Sequence, residues 1–390
     1  MRLAHGLIFS FLIAFLFAGF IACGGGGGGG DTSATYFADA DDDSFGDVGS
    51  IQVLESAQAG WVLDSTDCDD SSDTVYPGAA ELCNSIDDDC DGTSDDSCGE
   101  VDTFNRSEVT LYYNTYYADA FSTTRSWNGN TGSCVAGSIS QAYRDEVLQV
   151  INLYRAMTGL PWDVTYDTVL DDSAQDLALM MESNNRMSHS WGLFGKCEAS
   201  DGSWSCYTQD GCESALRSNL YYSSVQYSAG AFIEGFIEDI GNAATLGHRR
   251  WVLYPPLEVV GLGAADDYAA LEVLNNWGTR PASPEWVTWP PAGYVPYPIV
   301  YDVWSFSAPS PASFNAATVS LTKGGANVPV IATVLPNNYG DRTLSWELQS
   351  APLFSSGMSD MAYTVTVGGI TGMSQSSYTY NVTVFDPDSP

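Results

Sequence analysis

Apolar residues recur at helical spacing from Tyr143 through Val147, Val150, Ile151 and Tyr154, until Gly159-Leu160-Pro161 ends the run. A period near 3.6 residues predicts an amphipathic helix, and Gly and Pro stop it. A second helix is predicted from Asp171 to about Met187, with Ala174, Leu177, Ala178 and Met181 on one face and Asp167 or Asp171 as its cap. A third runs from Ala229 to Ile240 through Phe232 and Phe236. After the stretch Gly241 to Pro255, two short apolar runs have the length of strands, Val259 to Gly263 and Leu271 to Trp277. Residues 103–142 are aromatic and polar, with Tyr112, Tyr113, Tyr116, Tyr117 and Trp127 but little period; they read as a lead-in packed on the next domain.

The pattern changes at Trp286. Trp289-Pro290-Pro291-Ala292-Gly293-Tyr294 to Pro298 reads as a rigid, turn-rich connector. Beyond it, short alternating or apolar runs begin at Val303, Ala317, Val328, Thr343, Tyr363 and Tyr378, punctuated by Gly324-Gly325 and Asn337-Asn338. Six or seven short strands in about 90 residues predict an immunoglobulin-like β-sandwich, and the stretch has no cysteine to staple it. Such a fold alone assigns no activity.

Composition moves the picture outward from the cell. Thirteen Lys and Arg stand against 49 Asp and Glu, a formal charge of -36. Phosphate binding needs clustered cations, so a nucleic-acid partner is excluded. Residues 1–23 have a basic start at Arg2, an apolar run from Leu7 to Ile21, then Ala22-Cys23. This is the build of a secretory signal, too short for a comfortable membrane span. A small residue before Cys resembles the bacterial lipobox, with Phe20 where that pattern has Leu, and it implies lipidation of Cys23 and a lipid anchor in the membrane. Gly24 to Gly30 is a flexible tether. The expected location is that of an exported bacterial lipoprotein, at the outer membrane or cell surface. With Cys23 set aside, eight of the nine cysteines remain, in groups at 68–98 and 134–212. An even number in an exported chain reads as disulfides, most economically within each group, with connectivity open.

Residues 31–102 are dense in Asp and contain no Lys or Arg. Asp39, Asp41, Asp43, Phe45 and Asp47 fall at positions 1, 3, 5, 7 and 9 of a calcium loop, and Asp87, Asp89, Asp91, Thr93 and Asp95 repeat the register. Gly92 occupies the sixth position of the second loop, where the chain turns sharply; the first has Ser44. Neither loop has Glu at position 12, so both are partial. Carboxylates about 4 Å apart repel by ~1 kcal/mol per pair in water and ~4 at an effective dielectric of 20, a penalty that a divalent cation removes. The oxygen-only donor set favours Ca²⁺. Asp67-Cys68-Asp69-Asp70, Tyr76-Pro77-Gly78, Glu81-Leu82-Cys83-Asn84 and Asp87-Asp88-Asp89-Cys90-Asp91-Gly92 together resemble the Cys/Asp-rich metal-binding module of bacterial surface proteins named for the MopE family. That family's label carries copper; the donors here favour structural calcium.

Of three histidines, His5 lies in the signal, leaving His189 and His248. Each is either a hydrogen-bonded structural imidazole or a group for ligation or proton transfer. Asn152-Leu153-Tyr154-Arg155 to Gly159-Leu160, then Ala174, Ala178 and Met187-Ser188-His189, then Gly247-His248-Arg249-Arg250-Trp251 and Val260-Gly261-Leu262-Gly263, resemble in order the motifs of the CAP superfamily of cysteine-rich secretory and SCP-like proteins. The resemblance implies an α-β-α sandwich over residues 143–285 and a cleft of two His and two acids, with His189 and His248 in the His positions. The family's Gly-Glu-Asn is best matched at Arg217-Ser218-Asn219, where Ser218 replaces the Glu. Glu238, or Glu234 one turn earlier, is the candidate second acid, and Glu213 the candidate replacement for the first. Arg249 and Arg250 break the acidic trend, one placed to pair with a core carboxylate and the other as surface charge.

The expected architecture is α/β: a signal (1–23), a linker (24–30), an Asp/Cys-rich module (31–102), a lead-in (103–142), a CAP-like domain (143–285) and a β-sandwich (286–390). The expected function is binding of an unidentified ligand or partner protein in the two-His cleft. The alternative is a Zn²⁺-assisted hydrolase in which His189, His248 and Glu238 hold metal or act as acid and base.

Overall fold

The computed structural model describes residues 33–79, 86–92, 101–191, 197, 204–274, 277–349 and 354–389. The expected signal with Cys23, the expected glycine tether, Cys83, Cys98, Thr93 and Asp95 lie outside the described residues. The chain divides into two compact units, Met1–Pro77 and Gly78–Pro390.

In the first unit, β1 (Ala34–Ala38) pairs antiparallel with β2 (Asp47–Leu54) and with β3 (Trp61–Val62), in the order β2-β1-β3. The acidic loop joining β1 to β2 carries Asp39, Asp41 and Asp43.

The second unit opens with α1 (Arg106–Tyr113), capped by the Asn105 side chain on the N–H groups of Ser107 and Glu108. It continues as a π-helical turn over Asn114–Ala118 and a 3-10 turn over Asp119–Phe121. The expected aperiodic lead-in is therefore helical over residues 106–121 and irregular, with isolated bridges, from there to α2. Its tyrosines come in adjacent pairs and the π turn shifts the register, which hides a 3.6-residue period.

Next come α2 (Gln141–Met157), β4 (Thr165–Tyr166), α3 (Thr168–Asn184), α4 (Gln209–Ala215), β5 (Ser218–Tyr222), α5 (Ala229–Glu238), α6 (Gly247–Val252), β6 (Val259–Ala264) and β7 (Tyr268–Glu272). Asp167 caps α3, accepting from Val169 and Leu170, so the helix starts and ends three residues earlier than the sequence suggests. The expected strand over 271–277 also lies earlier, because β7 pairs with β5 from Ser218↔Glu272 to Tyr222↔Tyr268. The sheet order is β4-β6-β7-β5.

Alternation sorts this sheet between two layers. Leu262, Ala264, Ala269 and Leu271 pack in one cluster with Val147, Ile151, Phe232 and Phe236 of α2 and α5. Leu220, Tyr268 and Ala270 pack in the other with Ala174, Leu177, Met181 and Cys212 of α3 and α4. This is an α-β-α sandwich. The repeat Val260-Gly261-Leu262-Gly263 has a steric cause: Cβ atoms at Gly261 and Gly263 would lie 2.4 Å and 2.1 Å from the backbone of Leu170 and Ala174. Cys134–Cys206 and Cys197–Cys212 are disulfides, both within the second cysteine group, and Cys68 and Cys90 are each disulfide-bonded.

The C-terminal strands are β8 (Val287–Trp289), β9 (Gly293–Pro296), β10 (Val303–Ala308), β11 (Thr318–Lys323), β12 (Ala326–Val328), β13 (Val330–Val334), β14 (Arg342–Leu348), β15 (Met361–Gly368) and β16 (Ser377–Phe385). They form sheets ordered β13-β14-β10-β8 and β12-β11-β15-β16-β9. With β8 as A and β16 as G, these are the D-E-B-A and C′-C-F-G-A′ sheets of an immunoglobulin-like sandwich, with β9 parallel to β16. Two expectations need correction. The Trp289–Pro298 connector contains β9, a strand that crosses from one sheet to the other. The run Val328–Ile331 is two strands, broken at Pro329, which has no N–H to donate.

The sandwich core is aromatic, with Trp304 centred 5.7 Å from Tyr363 and Trp286 5.0 Å from Phe306. It continues without a break into the α-β-α core: Trp289 lies 4.9 Å from Tyr154, whose hydroxyl is 2.8 Å from that of Tyr301.

Candidate functional site

In the first unit, the β1–β2 loop brings carboxylate oxygens of Asp39, Asp41 and Asp43 within 4.8 Å of one another, and Asp41 makes a second such group with Asp67 and Asp70. Asp39 and Asp67 are only 9% and 8% exposed. Asp39 Oδ1, Asp41 Oδ2, Asp43 Oδ2 and Asp67 Oδ2 are buried without a hydrogen-bond partner. Burial, then the neighbouring charges of Asp41, Asp39 and Asp70, push the Asp43 carboxyl upward against the Phe45 N–H, and Asp67 is raised by burial in the same way. Four unpaired anionic oxygens facing shared neighbours are costly unless a cation joins them. An all-carboxylate donor set suits a hard cation.

The loop differs in detail from the expected register. Phe45 donates its N–H to Asp43 Oδ1 at 2.8 Å, and its ring stacks on Tyr76. Asp47 does not join the group: it begins β2, and its carboxylate accepts from the Gly49 N–H at 2.7 Å and the Ser50 hydroxyl at 2.8 Å. Asp67 and Asp70, distant in sequence, take its place. Ser44, at the turn position where Gly is usual, adopts φ 84°, so the turn forms at a cost of order 1–3 kcal/mol for a non-Gly residue.

In the second unit, Asp87, Asp89 and Asp91 also lie within 4.8 Å of one another. Asp87 accepts from the N–H groups of Asp91 and Gly92 at 3.1 and 2.9 Å, and Gly92 takes φ 98°.

The two histidines line one cleft of about 490 Å³. His189 follows α3, where Asn185 ends the helix in the left-handed conformation and accepts from the Tyr268 hydroxyl at 2.9 Å. The Trp191 indole N–H then holds the Ser188 carbonyl at 2.6 Å. His189 Nδ1 lies 2.7 Å from the Ala215 carbonyl, which only accepts, so Nδ1 carries the hydrogen and Nε2 is left for a ligand.

His248 is organised by Asp239. This residue caps the C-terminus of α5 at φ 59°, which turns its side chain away from the helix and toward the start of α6. Its Oδ2 accepts the His248 backbone N–H at 3.1 Å, and its Oδ1 faces His248 Nδ1 at 2.8 Å. The imidazole also leans on Phe236, 5.1 Å between centroids. Asn219 donates its amide to the His248 carbonyl at 3.1 Å.

Asp239, 2% exposed, stands behind His248 as its carboxylate partner, and none of Asp239, Glu238 and Glu234 lines the cleft. The Glu238 carboxyl is raised by burial and by Asp302, against Arg249, and Glu234 is pushed up to about 7 by burial and by Glu238. Glu213 is bound to Gln209 at 2.7 Å and paired with Arg217, outside the cleft. Ser218 does line the cleft, but its hydroxyl donates to the Ser214 carbonyl at 2.8 Å. Met187, Leu216, Leu220, Leu274, Trp251 and Tyr339 supply the apolar and aromatic wall, and among the described residues no Lys, Arg, Asp or Glu lines it. Neither histidine belongs to a group of three His, Cys, Asp or Glu ligand atoms among the described residues.

The two arginines beside His248 are both buried, at 1% and 4% exposed, and both hold carbonyls. Arg249 binds the carbonyls of Ile237 and Val303; Arg250 binds those of Thr245, Pro336 and Asp341. Neither is surface charge, and among the described residues neither makes the expected ion pair with a core carboxylate. Arg155 is similar: its guanidinium reaches the carbonyls of Pro161, Val252, Tyr254, Pro255 and Leu257, fixing the chain that leaves α6.

Comparison with known families agrees with this arrangement. Residues 67–96 match the model described as "putative metal-binding motif", of the MopE type, and residues 148–277 match that of the cysteine-rich secretory protein family. The chain carries a MopE-type motif followed by a CAP domain. No curated protein matches the sequence. The disulfides fit an exported protein, and among the described residues no helix is long and apolar enough to cross a membrane.

Proposed function

We propose that the chain is an exported, lipid-anchored surface protein whose CAP domain binds a ligand or partner through the His189 and His248 cleft, and whose Asp-rich loops hold structural calcium. The observation that carries the binding reading is the lining of the cleft. Two imidazoles with their Nδ1 atoms engaged sit in a wall without side-chain charge, and the nearby Ser188 and Ser218 hydroxyls donate to carbonyls. Such a cleft recognises shape and a few hydrogen-bond donors. Among the described residues it offers no activated nucleophile of the Ser-His type.

Metal-assisted hydrolysis is the second reading, and Asp239 is its specific support. A carboxylate on Nδ1 orients an imidazole and raises the basicity of Nε2, as in metal sites and general bases. Metal analysis separates the two. Calcium without zinc after zinc loading supports binding; stoichiometric zinc that disappears in a His189→Ala, His248→Ala double variant replaces it with the hydrolase.

The calcium reading rests on the four unpaired carboxylate oxygens of the β1–β2 loop and Asp67. Chelation is expected to lower the unfolding midpoint of the Asp-rich segment and to spare the C-terminal sandwich. An unchanged melt would count against a bound ion. Anchoring through Cys23 predicts that Cys23→Ser moves the protein from the membrane fraction to the supernatant; retention in the membrane would rule out that anchor.

A further inference from the structure

The tyrosine-rich segment before α2 has no part in the two-His cleft, yet it lines a separate groove of about 480 Å³. That volume is within the range of small-molecule sites, roughly 300–1,000 Å³. One wall is α1 and the π-helical turn, presenting Tyr112 and Tyr116 edge to face at 4.6 Å. The facing wall is the Trp162–Thr165 segment, and the floor is the polar face of α2 with Asp145, Gln149 and Asn152.

Both walls are tied to the floor by side-chain amides. Gln149 donates to the Thr115 carbonyl of the π turn at 3.3 Å. Asn152 pairs with the backbone of Val164 in both directions at 3.2 Å. These ties hold the groove open in advance and engage its neutral amides. The part-exposed rings of Tyr116 and Trp162 line the space, with Tyr112 buried behind at 5% exposed, and two exposed carboxylates stand at the rim, Asp163 and Asp145, the latter also accepting from Gln141 at 2.7 Å.

No Lys, Arg or His is among the described lining residues. The nearby cations are committed elsewhere: Arg144 to Asp171 and the Tyr166 ring, and Arg155 to buried carbonyls. Aromatic faces attract a cation whose weak hydration lets it leave water, and carboxylates at the rim add charge complementarity. A net charge of -36 raises the local concentration of any cation.

We propose that this groove is a second binding site, for a small organic cation of the quaternary-ammonium class. Aromatic rings, acidic rim and absent countercharge all favour that ligand over an anion or a neutral apolar molecule.

Calorimetric titration of the full chain tests this with choline and with its neutral isostere dimethylbutanol, in which carbon replaces the ammonium nitrogen. Choline is expected to bind saturably and the isostere about tenfold more weakly. Asp145→Asn with Asp163→Asn, at exposed positions that leave the core intact, is expected to weaken choline about tenfold, as is Trp162→Ala, with unfolding midpoints checked for each. The His189→Ala, His248→Ala protein should bind choline like the wild type. A trimethyl-lysine peptide is the second arm. Either compound binding sustains the site, and the tighter one tells whether the head group comes from a small molecule or a side chain. No binding of either, equal binding of the isostere, unchanged affinity in both sets of groove variants, or loss of binding in the histidine variant would overturn it.

Discussion

Asp239 joins two elements with one carboxylate. It accepts the His248 backbone N–H and faces the His248 imidazole, and its Oδ1 also takes the Asn242 amide at 3.1 Å. Asp239→Ala leaves those part-buried donors without their acceptor, a loss at the lower end of the about 1–3 kcal/mol of an unsatisfied buried group. Asp239→Asn keeps an acceptor oxygen and is expected to lose less stability. If denaturant unfolding gives the alanine variant wild-type stability, Asp239 does not organise the cleft. A different acid on the same helix sets a pH dependence. Glu234 has its carboxyl pushed from 4.5 to about 7, first by burial and then by Glu238. An acid that holds its proton more tightly when folded makes stability fall as pH rises through that window. Wild-type stability should therefore drop relative to Glu234→Gln between pH 4.5 and about 7; a difference that stays constant over that range would refute it.

At the scale of elements, periodicity was a good guide wherever one face is buried. The α2 and α3 helices, β6 and most sandwich strands stand close to where their apolar spacing puts them. What spacing could not carry depends on backbone turns. The π turn shifts the tyrosine pairs of the lead-in, and β9 follows a Pro-Pro turn that reads as a connector. The carboxylate partner of His248 is hidden from the sequence for the same reason. A helical wheel favours Glu238 and Glu234, but the left-handed cap carries Asp239 out of the helix toward α6. Asp67 and Asp70 join Asp41 only through tertiary folding, so no loop register exposes them. The glycines of β6 are legible both ways, as a family motif and as close packing against α3. Gly263→Ala places a methyl group 2.1 Å from the Ala174 backbone, which cannot yield as a flexible side chain would. Overpacking of this kind costs about 1–3 kcal/mol or more. A melting temperature equal to the wild type would show that α3 does not press on the sheet as described.

At the scale of the second unit, the CAP domain and the sandwich are continuous. Tyr154 of α2 packs on Trp289 and meets the Tyr301 hydroxyl, so the first helix of one domain borrows core from the other. Arg249 reaches the Val303 carbonyl and Ser305 of β10, and Arg250 holds Pro336 and Asp341 at either side of the turn that carries Tyr339 into the cleft. Arg280 binds Asp341 with both terminal nitrogens. Buried guanidinium groups are tolerated only while their carbonyl partners remain. Removing the sandwich would expose Tyr154 and leave Arg249 and Arg250 without several of those partners. A fragment ending at residue 285 should therefore fail to unfold cooperatively, while the full chain shows one transition common to both domains. Calorimetry decides. If the fragment melts cooperatively near the temperature of the full chain, the CAP domain folds on its own and Tyr339 is an accessory to the cleft. If it does not, the sandwich is part of what makes the cleft, and variants at Tyr339 belong among tests of ligand binding.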